Sequence, residues 1–218
     1  MSEGYLHSIQ PLRDLVPHNE WARLTCYPLQ TYLAGRPLLQ QGKEGNFVLA
    51  LVSGLVKVVR DERDGRQRLL AFRGSGEVLG EMALQRGGLR LASVWAMSNC
   101  KASVVPAEDF QHFVREHRLA YPLAVMAFNR LRELTEGRDG AVHERLAMAL
   151  LRLVEVSDGM HTFSLTREDL AQHIDVGRKA VSKALAQLGP DKVKAGKSRI
   201  EVVSVERLRK VIAPQTDA

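Results

Sequence analysis

The sequence predicts an α+β chain: an antiparallel β barrel or sandwich comes first, a long helix follows, and a smaller helical unit ends the chain. Three observations predict it. Between Arg36 and Val105, short β-rich runs are broken by glycine. From Pro106 onward the apolar residues take up helical spacing. Gly137-Arg138-Asp139-Gly140 then interrupts that pattern, and residues 161–218 carry most of the positive excess. A chain of 218 residues can bury a substantial core in one or two domains. Charged residues at 26% and hydrophobic residues at 45% are ordinary for a globular protein and argue against long disorder.

The first thirty residues mix polar and apolar positions at helical spacing around Pro11, Pro17 and Pro28, which predicts one or two short helices. Phe47–Val52, Leu55–Val59 and Arg68–Phe72 read as strands, and Asp64-Gly65 is a hairpin signal between the last two. Several strands at this spacing suit an antiparallel barrel or sandwich. Ala107–Glu116 reads as a short helix and Leu119–Leu134 as a longer one, with Leu123, Ala127, Leu131 and Leu134 on a common stripe. That stripe suits either packing on the β region or a seam between two copies. The two glycines of 137–140 suit a hinge. Val142–Val156 is amphipathic with Leu146, Leu150, Leu153 and Val154 inward, and Ser157-Asp158-Gly159 ends it.

Composition excludes several classes. Two cysteines, Cys26 and Cys100, are too few for a disulfide scaffold or a four-cysteine metal site, and no metal site is expected. There is no nucleophile elbow, P-loop or HExxH pattern. Glu81 with His112 or His117 as acid and base is the one enzymatic arrangement on offer, and nothing in the sequence brings them together. No catalytic residue is therefore expected. The longest clean apolar stretches, such as Phe47–Val52, fall far short of the roughly 20 residues that cross a bilayer. Met1-Ser2-Glu3-Gly4-Tyr5 has no signal pattern, so a cytoplasmic chain with no membrane partner is expected.

Thr166-Arg167-Glu168-Asp169 is a helix start, with Thr166 as the cap and Asp169 three residues on. A short helix to His173, a turn through Asp175-Val176-Gly177 and a second helix over Arg178–Leu188 follow. At about 100° per residue, the second helix puts Val181, Ala184, Leu185 and Leu188 on one side. Arg178, Lys179, Ser182, Lys183, Ala186 and Gln187 fall on the other. This polar side has three cations and no carboxylate. It is either an ordinary solvated face or a groove-binding one, because cations reach phosphates and base edges. The capped helix and tight turn before it favour the groove, since helix–turn–helix geometry aims the start of the second helix into the DNA major groove. Lys192–Val203 reads as a hairpin with a cationic glycine tip that includes Lys197, a wing. Residues 161–218 hold 11 Lys+Arg against 7 Asp+Glu, so +4 of the net +6 lies there. The pI of about 9.5 then points to double-stranded DNA as partner.

A second stretch, Gly80 to Val94, suits a nucleotide. Gly80 permits close backbone approach, and the amides after it open a short helix whose start attracts an anion. Glu81 can accept from a sugar hydroxyl, and Arg90, arriving on the next strand, can neutralise a phosphate. A structural Glu81–Arg90 ion pair accounts for the same residues without a ligand.

Taken in order, the glycine-punctuated β region, the Gly-Glu…Arg cassette, the long helix, the hinge and the winged helix–turn–helix resemble the CRP/FNR family of bacterial transcription regulators. The resemblance runs from about Leu33 to Arg209. Gly80-Glu81-Met82-Ala83-Leu84…Arg90-Leu91-Ala92-Ser93-Val94 is similar to the phosphate-binding cassette of cyclic-nucleotide domains, closest in spacing to regulatory subunits of cyclic-AMP-dependent protein kinase. The resemblance implies an N-terminal antiparallel β-roll (double-stranded β-helix, jelly-roll-like), a long dimerisation helix and a C-terminal winged helix–turn–helix. The implied division is 1–116 sensor, 117–140 dimerisation helix and hinge, and 141–218 DNA-binding domain.

It also implies roles. Gly80 and Glu81 open the cradle, with Glu81 on the ribose 2′-hydroxyl and Arg90 on the cyclic phosphate. The amides of Met82, Ala83, Leu91 and Ala92 complete it, and Thr135 stands near the place where the family reads adenine. Arg178, Lys179, Ser182 and Lys183 face the groove, Thr166 and Arg167 touch phosphates, and Lys197 belongs to the wing. No obligatory cofactor is implied; the effector is a cyclic nucleotide, cyclic AMP or cyclic GMP. The partners are double-stranded DNA, a second copy through the long helix, and RNA polymerase. Some positions depart from the family. Leu91 stands where bacterial cyclic-AMP receptors carry a hydroxyl, Asp175 replaces the turn glycine, and Gly177 replaces the capping serine. Lys179 replaces a glutamate, and a lysine cannot accept from cytosine N4, so the half-site differs. The N-terminal cysteine cluster of the FNR branch is absent, and no histidine lies between Arg36 and Val105 to hold haem. Two functions remain: a homodimeric DNA-binding regulator modulated by a cyclic nucleotide, and one of the same fold whose β-roll binds none.

Overall fold

The structure, a computed structural model, describes residues 10–85, 88–136 and 140–212, with backbone alone at Gln85 and 133–136. The chain forms two compact units, one within Ile9–Arg132 and one beginning at Glu133.

The first unit starts with α1 (Leu12–Leu15) and α2 (His18–Thr25). Strands β1 (Leu29–Tyr32), β2 (Pro37–Leu39), β3 (Phe47–Ser53), β4 (Val56–Asp61), β5 (Gln67–Arg73) and β6 (Val78–Leu79) follow. After a 3-10 turn (Glu81–Gln85) come β7 (Ser93–Ala96), β8 (Cys100–Pro106), α3 (Ala107–Glu116) and α4 (Ala120–Glu136). The strands form two antiparallel sheets, ordered β1-β8-β3-β6 and β2-β7-β4-β5, as a jelly-roll-like β-roll. Leu39, Leu49, Leu51, Val56 and Val94 pack in one core. Leu12, Trp21, Phe110 and Phe113 pack in a second, against Val48, Ala50 and Val105. Alternate residues of β3 therefore enter different cores, which is why Phe47–Val52 is apolar throughout instead of alternating. At the Asp64-Gly65 turn the amide of Glu62 donates to the Arg66 carbonyl at 2.9 Å. Gly65 there takes φ +81°, which L side chains rarely adopt.

The expected α4 stripe divides, with Leu123 half-buried and Ala127 and Leu131 exposed. Met126 is buried, and Leu123 packs half-buried against the core of α1–α3. Tyr121 (78% exposed), Val125, Phe128 and Leu131 lie outward instead. Apolar residues occupy more than one face of this helix, so spacing alone could not choose between faces. Leu134 has no described side chain, and residues 137–139 of the expected hinge lie outside the described residues; Gly140 takes φ +88°.

The second unit holds α5 (Val142–Val156), β9 (Thr162–Phe163), α6 (Arg167–His173), α7 (Arg178–Leu188), β10 (Val193–Ala195), β11 (Ile200–Val202) and α8 (Val205–Ile212). Helix α5 packs on α7 and α8, and Leu146, Leu150 and Leu153 of α5, Val181 and Leu188 of α7 and Leu208 of α8 are all buried. The three strands form one antiparallel sheet in the order β10-β11-β9. No helix among the described residues is long and apolar enough to cross a membrane.

Candidate functional site

The cassette closes around Arg90. Gly80 takes φ +88°, and a Cβ on it would collide with Arg90 Nη1, so this position requires glycine. The amide of Ala83 donates back to the Gly80 carbonyl at 3.3 Å as the 3-10 turn opens. Arg90 lies in the loop before β7, not on a strand as expected, because the 42–45 loop clasps its backbone. Its N–H donates to Lys43 O at 2.8 Å, and its carbonyl accepts from Gly42 N at 2.9 Å. The side chain is buried. Nη1 donates to Gly80 O at 2.9 Å and Nη2 to Phe47 O at 2.5 Å, with the guanidinium 4.8 Å over the Phe47 ring. Burial holds its pKa below the usual arginine value, with Glu81 pulling the other way. A guanidinium has five N–H groups, so donors remain for an anion. The amides of Leu91 and Ala92, next in the chain, have no acceptor among the described residues.

Glu81 does not pair with Arg90 among the described residues. Its carboxylate accepts from Nη1 of Arg130 on α4, whose Nη2 lies 2.8 Å from Glu77. Buried Glu77 is also 3.7 Å from Nε of buried Arg73. Two cations and two carboxylates thus run through the first unit from Arg73 to Glu81. Burial pulls the Arg130 pKa down, but Glu81 and Glu77 outweigh it and hold it above the ordinary value. Sequence reasoning missed Arg130. The signal available was its place four residues after buried Met126, on the inward side of α4.

A groove of about 560 Å³ lies beside the cassette, between Met82 and Leu91, Phe110 and Val114 of α3, and Leu123 and Ala127 of α4. The side chain of Thr135 lies outside the described residues. His117 Nε2 stands 3.1 Å from Glu20 and His112 Nε2 3.9 Å from Glu116, so neither is joined to Glu81.

In the second unit, Thr166 Oγ1 accepts from Asp169 N at 3.1 Å and Asp169 Oδ2 accepts from Thr166 N at 2.9 Å, a complete capping box. The turn needs one left-handed residue, and Asp175 supplies it at φ +54°. Gly177 opens α7 without a side-chain cap. Helix α7 buries Val181, Ala184, Leu185 and Leu188 and exposes Arg178, Lys179, Ser182, Lys183, Ala186 and Gln187. Arg178 Nε lies 3.6 Å from Glu168, whereas Lys179 and Lys183 have no ion-pair partner among the described residues. Lys197 is exposed at the tip between β10 and β11, where Gly196 N donates to Arg199 O at 2.7 Å. Arg167 is turned to this tip: Nη1 donates to Gly196 O at 2.9 Å and Nη2 to Ala195 O at 3.4 Å.

Comparison with known proteins matches both halves. A cyclic nucleotide-binding domain model matches residues 29–117, and a Crp-like helix-turn-helix domain model matches residues 144–211. The cyclic AMP receptor protein of Thermus thermophilus is 30% identical over 203 residues, spanning 90% of this chain and 94% of that protein. The cAMP-activated global transcriptional regulator CRP of Pasteurella multocida is 25% identical over 192 residues, spanning 83% and 91%. Among solved structures, a CRP-family transcriptional regulator from Thermus thermophilus superposes with a TM-score of 0.71 at 23% identity, over 84% of this chain and 96% of that one. The c-di-GMP responsive regulator CLP of Xanthomonas campestris gives 0.69 at 20% identity, over 86% and 100%; at these identities the likeness is one of fold.

Proposed function

Because this chain belongs to the CRP/FNR family of transcription regulators, and is not an enzyme, we propose that it is a cytoplasmic homodimer that binds specific DNA sequences with an affinity set by a cyclic mononucleotide. The observation that carries the proposal is the split of α7: every exposed charge on it is a cation, with Arg178, Lys179, Ser182 and Lys183 together on that face. Such a face supplies donors to phosphates and to guanine edges.

The cyclic phosphate sits on the remaining N–H groups of Arg90 and the amides of Leu91 and Ala92, and the ribose hydroxyl on Glu81. Gly80, Met82 and Ala83 shape that edge, and Thr135 closes toward the base. Arg130 joins Glu81 to α4, so occupancy of the cassette bears on α4. Helix α4 carries Tyr121, Val125 and Phe128 outward at helical spacing, and a second copy of the chain covers them. Pairing through α4 then sets the two α7 helices about 34 Å apart, one DNA turn. The nucleotide acts by favouring the arrangement with that spacing. RNA polymerase is the downstream partner.

One observation favours a second reading, a regulator of the same fold that takes no nucleotide. Arg130 already neutralises Glu81, and Arg90 already donates to Gly80 and Phe47. Calorimetric titration of cyclic AMP and cyclic GMP into the full-length protein separates the two. Saturable heat at one ligand per chain, lost in Arg90→Ala, supports the nucleotide. No heat at millimolar ligand supports the second reading.

A further inference from the structure

Resting on the DNA-binding reading, we propose that Arg167 is a positioning residue that fixes the wing tip so that Lys197 meets the DNA backbone, and that it does not itself contact phosphate. The wing is small. Strands β10 and β11 have three residues each, paired Val193 with Val202, Lys194 with Glu201 and Ala195 with Ile200. Val193, Ile200 and Val202 root it in the core, but 196–199 are exposed. One backbone bond, Gly196 N to Arg199 O, closes the turn. The third strand, β9, pairs with β11 only at Ile200 and Glu201, so no strand pairing reaches the tip beyond Ala195 and Ile200, and a turn closed by one bond holds its shape poorly by itself.

Arg167 supplies the missing support. It is the first residue of α6, and α6 is a firm base, locked by the Thr166–Asp169 box and by buried Leu170 and Ala171. From there the guanidinium spans 29 residues of sequence to reach two successive carbonyls, Ala195 and Gly196. Two neighbouring carbonyls suit a planar fork with donors on two nitrogens. A lysine, with its compact ammonium on a flexible stem, cannot span them in the same way. The fork is thereby committed to the wing, while Lys197 at the tip has no ion-pair partner among the described residues.

The test uses the full-length protein, Arg167→Ala, Arg167→Lys, Lys197→Ala and the Arg167→Ala/Lys197→Ala double variant. Amide hydrogen exchange across 196–199 is measured without DNA, and affinity is measured for a long mixed-sequence duplex at low salt. Both Arg167 variants should speed wing-tip exchange by about tenfold or more, because each loses the charge-assisted fork. The loss of affinity caused by Lys197→Ala should shrink to about twofold or less in the Arg167→Ala background, the non-additivity of residues that act together. Unchanged exchange in both variants overturns the proposal. So do additive losses with full rescue by Arg167→Lys, which mark a direct phosphate contact. If the unmodified protein binds no duplex, the DNA reading fails by itself, and wing exchange still decides whether Arg167 holds the tip.

Discussion

Replacing Arg130 by methionine removes the cation shared by Glu77 and Glu81 while keeping a side chain of similar length. Arg130 donates to both carboxylates, and hydrogen bonds to charged groups contribute about 1.5–3 kcal/mol each. Side-chain exposure is 16% for Arg130, 4% for Glu77 and 14% for Glu81, so solvent screens these bonds little. Glu77 keeps Arg73, with Nε at 3.7 Å, and Glu81 keeps no ion-pair partner among the described residues. Removing one partner of a buried pair costs about 3–5 kcal/mol, in line with two such bonds. The readout is specific, because Trp21 and Trp95 are the only tryptophans and both lie in the first unit. Denaturant unfolding of the full chain followed by tryptophan fluorescence should show the first unit losing about 3–5 kcal/mol. Adding Glu81→Gln to the variant should recover part of that loss. A loss below about 1 kcal/mol would place Arg130 with ordinary surface cations and refute the reasoning.

Thr166→Ala removes the acceptor for Asp169 N and should cost the second unit about 1 kcal/mol, read by far-ultraviolet circular dichroism during unfolding; an unchanged midpoint would show that the cap contributes nothing. Cys26 is exposed, while Cys100 is buried, donates to Ser98 O at 3.3 Å, and has its thiol pushed up by burial. The reactive thiolate of Cys100 is thus disfavoured at neutral pH, so mass spectrometry should find one alkylated thiol in the folded protein and two in denaturant. Equal rates at both cysteines in the folded protein would contradict this. Lys183→Ala should weaken binding to a selected duplex by about 1–3 kcal/mol and relax one base position; an unchanged sequence preference would exclude base reading by this residue.

Much of the fold was legible where local chemistry decides. Helix α5 ends at Ser157 because Asp158 and Gly159 take φ +53° and +78°, and glycine with aspartate is the pair that announces such a stop. The capping box at Thr166 and the buried stripe of α7 followed from spacing alone, since a helix has one period and one way to face a core. Long-range pairing was not legible. Arg130 meets Glu81 across 49 residues, and only the packing of α4 beside the cassette brings them together. Sequence spacing also left the role of the α4 stripe open between core and seam, because Tyr121, Leu123, Val125, Met126 and Phe128 leave little of its surface polar. The contacts made by α1–α3 decide which residues turn inward. Arg90 was expected to meet a phosphate or to pair with Glu81, whereas its partners in the structure are the carbonyls of Gly80 and Phe47, and residue types carry no signal for those.

The decisive measurement is the anisotropy of a labelled duplex titrated with the full-length protein at low salt, with and without saturating cyclic AMP or cyclic GMP. The expected result is binding that weakens as salt rises and whose affinity one of the nucleotides shifts by about 5–150-fold. A duplex left unbound at low salt, under every nucleotide condition, would contradict the reading of α7 on which the proposed function stands.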